Sequence, residues 1–153
     1  NVSSLNSMFK NCRSLKNVNF LGVELSQVVS AENMYENCES LQLVTDNLVN
    51  FPNLTDSTKM FKGCSKLIGV YISENNTLSN LQNATGMFES CTRLTVANLT
   101  NLKNQSALIT NNMFKNCVGL RKINIENANI SQNPTDIKNM YQNCNQLDYL
   151  LDK

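Results

Sequence analysis

The sequence predicts an α/β solenoid of six coils. Each coil is expected to hold one short helix and one short strand, and the six strands should form a parallel sheet along one side. Two observations carry this. All six cysteines and all six methionines of the 153 residues sit in one recurring motif, and Cys12, Cys38, Cys64, Cys91, Cys117 and Cys144 stand 26, 26, 27, 26 and 27 residues apart. The apolar period also changes across each cysteine, helical before it and alternating after it. Self-similarity at this period marks a stacked array, whose units bury a core only against each other.

Upstream of the cysteine, apolar or small residues recur at minus ten (Val2, Val28, Leu54, Leu81, Ala107, Pro134) and minus seven (Leu5, Ala31, Ser57, Ala84, Thr110, Ile137). Methionine follows at minus four and an aromatic ring at minus three. Spacings of 3, 3, 1 and 3 describe one face of a helix. Position minus eight holds Ser4, Ser30, Asp56, Asn83, Ile109 and Asp136, five of them good N-cap residues. A helix of roughly two turns is expected here, too short to persist without packing.

Downstream, leucine stands at plus three in every unit. Plus six gives Val18, Val44, Val70, Ala97, Ile123 and Leu150, and plus eight gives Phe20, Asp46, Ile72, Leu99, Ile125 and Asp152. Alternation with β-branched residues reads as a half-buried strand. Asp46 and Asp152 are expected at the strand end, reaching solvent or capping a turn. Plus eleven (Val23, Val49, Asn75, Leu102, Ala128) turns inward from the return loop. A right-handed path follows from the crossover preference of parallel strands.

The run Leu15-x-x-Val18-x-Phe20 resembles the leucine-rich repeat pattern. The preceding Met-Phe-x-x-Cys-x-x-Leu is similar to the BspA-like repeat of bacterial and protozoan surface proteins, above all the subgroup of mycoplasma surface lipoproteins; residues 53–64 are the closest copy. The asparagine that follows the strand in standard leucine-rich repeats is met only by Asn75. The resemblance implies surface display, with adhesion or other protein binding, and no catalytic residue.

Composition excludes several chemistries. Charged residues are 16% of the chain and the net charge is +1, so neither a polybasic nucleic-acid binder nor a charged disordered chain is expected. Histidine is absent, which removes the usual partner of a serine or cysteine nucleophile and the commonest metal ligand. No cofactor or metal is expected, nor is an enzyme. The aromatic and methionine columns read as core. Same-position residues in adjacent coils stand about 4.8 Å apart, farther than disulfide geometry allows, so the thiols are expected to remain unjoined. No apolar run is long enough to span a membrane, and the chain is expected to be a stretch of a longer array.

Strand positions plus four, five and seven should face away from the core. Across the middle coils they bring together Leu43, Ile68, Tyr71 and Val96, flanked by Lys16, Arg121 and Lys122. An apolar patch with a polar rim is the expected contact surface for a protein or glycan partner, extracellular or at a cell surface. The rival expectation is a structural subunit that grows into filaments through uncapped ends.

Overall fold

The computed structural model describes residues 2–20, 22–45, 50–72, 78–100 and 102–148. Asp46, Val49, Asn75, Leu150 and Asp152 lie outside them, as do Tyr149 and Leu151. Four strands form one parallel sheet in chain order: β1 (Leu43–Val44), β2 (Gly69–Tyr71), β3 (Val96–Asn98) and β4 (Lys122–Asn124). Their register follows the repeat: Leu43, Gly69, Val96 and Lys122 align, and so do Val44, Val70, Ala97 and Ile123. Val44, Val70 and Ala97 are buried, so the plus-six position points inward.

The expected helix does not form. Among the described residues no helix is present, and the segment ahead of each cysteine is a chain of reverse turns. Backbone N–H groups there alternate between two destinations. In the first coil Met8, Lys10 and Cys12 donate to carbonyls three residues back, while Ser7, Phe9 and Asn11 donate to Glu32, Met34 and Glu36 of the next coil. An α-helix needs every donor for its own i−4 carbonyl. The residues at minus five (Ser7, Asn33, Lys59, Gly86, Asn112, Asn139) and minus one (Asn11, Asn37, Gly63, Ser90, Asn116, Asn143) all have positive φ. Left-handed residues twice in five positions are incompatible with a right-handed helix. Nine of those twelve are asparagine or glycine, the types that enter this region at least cost.

Position minus eight keeps its capping chemistry in another setting. Asp56 Oδ1 accepts the Thr58 N–H at 2.8 Å and Asn83 Oδ1 accepts that of Thr85 at 3.0 Å. These side chains open turns. Their backbones form a second ladder of bridges along the array, Ser4 to Ser30 to Asp56 to Asn83 to Ile109. That ladder slips in the sixth unit, where Leu108 pairs with Ile130. Ala107 and Pro134, expected inside, are exposed; Leu108 is buried where Ala107 was expected, and Ile137 is also exposed.

Six rings form one unbroken stack. Phe9, Tyr35, Phe61, Phe88, Phe114 and Tyr141 follow each other at centroid separations of 5.5, 5.1, 5.6, 5.5 and 6.2 Å, with interplanar angles of 12° or less. Offset stacking adds to the burial of each ring. The Tyr35 hydroxyl is buried without a hydrogen-bond partner, and burial pushes its pKa far up. Removing an orphaned buried hydroxyl relieves its desolvation cost. Tyr35→Phe will therefore raise the unfolding free energy by about 1 kcal/mol, measured by urea titration; a destabilised variant would mean that the hydroxyl has a partner.

Candidate functional site

The cysteine column gathers the most nucleophilic side chains of the array. Five of the six thiols donate to the carbonyl of the aromatic residue in the preceding coil: Cys38 to Phe9 (3.2 Å), Cys64 to Tyr35 (3.3 Å), Cys91 to Phe61 (3.1 Å), Cys117 to Phe88 (3.0 Å) and Cys144 to Phe114 (3.0 Å). The Phe9, Tyr35, Phe61, Phe88 and Phe114 carbonyls also accept the cysteine N–H of their own coil. Cysteine thus suits this column as a small apolar side chain with one weak donor for a carbonyl that can accept twice. All six are free.

Burial dominates their acidity. It raises the Cys38 thiol to about 11, with help from the Cys12 sulfur, while the Cys12 backbone N–H pulls the other way. Cys64, Cys91 and Cys117 are pushed up further for the same first reason. The thiolate is the reactive form. At pH 8 iodoacetamide will label exposed Cys12 first and half-buried Cys144 slowly; the four buried thiols will react only after unfolding, as read by mass spectrometry. Labelling of Cys91 at the rate of Cys12 would contradict the column. A thiol pKa raised by folding makes the native state hold a proton that the unfolded chain has lost. Stability should therefore fall as pH rises from about 9, the unfolded value, through about 11.

A cleft of about 380 Å³ lies between the return loops of the first two coils, lined by Phe20, Val23, Leu25 and Phe51. Its one carboxylate, Glu24, is held below the usual carboxylate range by the Ser26 hydroxyl first and then by the Ser26 N–H, which donates to Oε1 at 2.9 Å. It brings no second reactive group. Among the described residues no three of Cys, Asp, Glu and His gather as a metal site, and no helix is long and apolar enough to cross a membrane.

The outer face of the sheet gathers the other residues singled out from sequence. Leu43, Ile68 and Tyr71 are 45, 42 and 48% exposed, values that set them apart from the buried leucines and rings beneath. Val96 is half-buried, and Lys16, Arg121 and Lys122 are exposed at the two ends. Register explains the grouping. Gly69 aligns between Leu43 and Val96, and the Tyr71 ring folds back over it: a Cβ added at Gly69 would stand 2.5 Å from Tyr71 Cε2 and 3.1 Å from its Cζ. The ring occupies the space a side chain would take at Gly69, so that glycine is buried while the tyrosine stays half open. Gly69 is the site residue that sequence reading passed over. It was visible only as the lone position in the plus-five column without a side chain. Arg121 Nε reaches Gln146 Oε1 at 3.4 Å, a tie to the sixth coil.

With one parallel strand in each of the second to fifth coils and leucines at plus three turned inward, the chain has the architecture of a leucine-rich-repeat-type solenoid. It belongs to the DUF285 family, described as Mycoplasma proteins of unknown function, whose profile matches residues 1–48 and 44–153. No curated protein matches it. Among solved structures it is similar to a leucine-rich cell surface protein of Faecalibacterium prausnitzii, at 23% identity over 80% of this chain with a TM-score of 0.46. The chain spans 36% of that protein's length. It is also similar to a leucine-rich repeat protein of T. pallidum, at 16% identity over 79% of this chain and 72% of the other, with a TM-score of 0.32.

Proposed function

We propose that this chain is a non-enzymatic binding module, displayed outside the cell or on its surface, which holds a partner on the outer face of its sheet in adhesion or host interaction. The observation that carries this reading is the Tyr71 ring laid over Gly69, with exposed Leu43 and Ile68 beside it and exposed cations at either end. A rigid aromatic beside aliphatic side chains, with a polar rim, is how contact surfaces are commonly built. The repeat supports the reading too, since it commits its thiols, thioethers and inner rings to packing. Ile68→Ser with Tyr71→Ser will abolish capture of partners from a host extracellular-matrix preparation and leave the melting temperature within a few degrees. Unchanged capture by that variant removes the surface from consideration.

A further inference from the structure

The charges of this chain are sorted by repeat phase. Between plus one and plus five of the cysteine there are six cations, Arg13, Lys16, Lys66, Arg93, Arg121 and Lys122, against two carboxylates, Glu39 and Asp148. The turn segments from minus eight to minus one carry five lysines and five carboxylates. The return-loop phases from plus eight to plus twelve carry five carboxylates and two lysines. A chain of net charge +1 thus presents a basic strip along one border of its sheet. All six cations are exposed, and among the described residues only Arg13 has an ion-pair partner, Glu39 at 3.4 Å. The strip runs from the first coil to the fifth, about 19 Å at the inter-strand step. Within that stretch every coil but the second supplies an unpaired cation, and the sixth coil supplies none.

We propose that this strip binds a sulfated polysaccharide laid across the coils, with sulfates on the cations and sugar rings toward the Tyr71 face. This deepens the binding-module reading and rests on it. Charge complementarity selects a polyanion, because solvated, unpaired cations in a row gain from one ligand that releases many counterions. The neighbouring side chains select a sugar over an acidic peptide. Tyr71 offers a ring face at half exposure, and Gln42, Thr45, Asn98 and Asn124 occupy the adjoining outward positions with groups that hydrogen-bond hydroxyls. An acidic peptide would use the cations and leave these unused.

The test is binding of the whole chain to heparin, to desulfated heparin and to poly-glutamate, each titrated against salt. Heparin will bind, with an affinity that falls steeply as salt rises, and the other two will bind at least about tenfold more weakly. Lys66→Gln, Arg93→Gln, Arg121→Gln and Lys122→Gln together will cost heparin affinity on the order of tenfold or more and flatten the salt dependence. Lys59→Gln, Lys115→Gln and Lys138→Gln on the turn side will change neither. Thermal melts keep loss of fold apart from loss of binding. Absence of heparin binding at low salt, equal loss in the turn-side variant, or poly-glutamate binding as tightly as heparin overturns the proposal. If matrix capture still depends on Ile68 and Tyr71 in such a case, the module reading stands and only the sulfated glycan falls; if both fail, both are removed.

Discussion

Phe61→Ala will lower the unfolding free energy by about 3–5 kcal/mol, read from urea unfolding followed by circular dichroism. Phe61 is fully buried, and its ring lies between Tyr35 at 5.1 Å and Phe88 at 5.6 Å. Truncation leaves a ring-sized gap and removes two stacked contacts. The gap cannot close easily, because backbone bonds from Tyr35 to Met60 (2.8 Å) and from Phe61 to Met87 (2.9 Å) fix the coil spacing. The cavity term should therefore be near its upper range. Phe9→Ala, with a stacked neighbour on one side and a half-buried ring, will cost visibly less. Equal costs at the two sites would show that the column does not act as a stack.

The second large effect comes from the backbone. Gly63 has φ +72°, and a Cβ there would run into Asn37 Oδ1. The same column shows what a side chain can do when its neighbour allows it: Asn37 Nδ2 donates to Asn11 Oδ1 at 2.9 Å, and Asn143 Nδ2 to Asn116 Oδ1 at 2.8 Å. Gly63→Val combines a β-branched residue in the left-handed region with that overlap, and will destabilise the chain by about 2–4 kcal/mol. Gly63→Asn, which tolerates the left-handed conformation, will cost much less once the Asn37 amide rotates aside. If valine is tolerated as well as asparagine, backbone conformation is not what selects glycine here.

The columns are legible in the sequence, but the element that carries them is a run of turns and not the expected helix. Methionine, ring, cysteine and leucine recur at constant phase, and constant phase demands stacked coils whatever the local conformation. Inward spacings of 3, 3, 1 and 3 suit a helical face, but a run of reverse turns projects side chains inward with the same spacing. What separates the two is the polar residue between. Asparagine or glycine at minus five and minus one is a poor choice in a helix and a good one at positive φ. That signal was present in Asn11, Asn33, Asn37, Gly63 and Gly86. The outer face was legible in part through strand alternation: Leu43 and Tyr71 fall outside and Val44 and Val70 inside, as a period of two requires, whereas buried Gly69 and exposed Ile68 depart from it. The fold of Tyr71 onto Gly69 was not legible, since it depends on a rotamer. Nor was the exchange of Ala107 for Leu108, which follows from the slipped bridge to Ile130.

The alternating destination of the turn-segment N–H groups gives the array something like a reading frame. One residue added between Leu54 and Cys64 would send donors meant for the next coil back into their own, and shift ring and thiol out of their columns together. The extra residue of the third interval lies elsewhere: eight steps separate Val70 from Leu78, where seven separate Val44 from Phe51. The one in the last interval falls between Ile123 and Asp136. Lengthening is absorbed in the return path, so lineages of such chains should drift there by single codons, while the turn segments change length only by gaining or losing an entire coil.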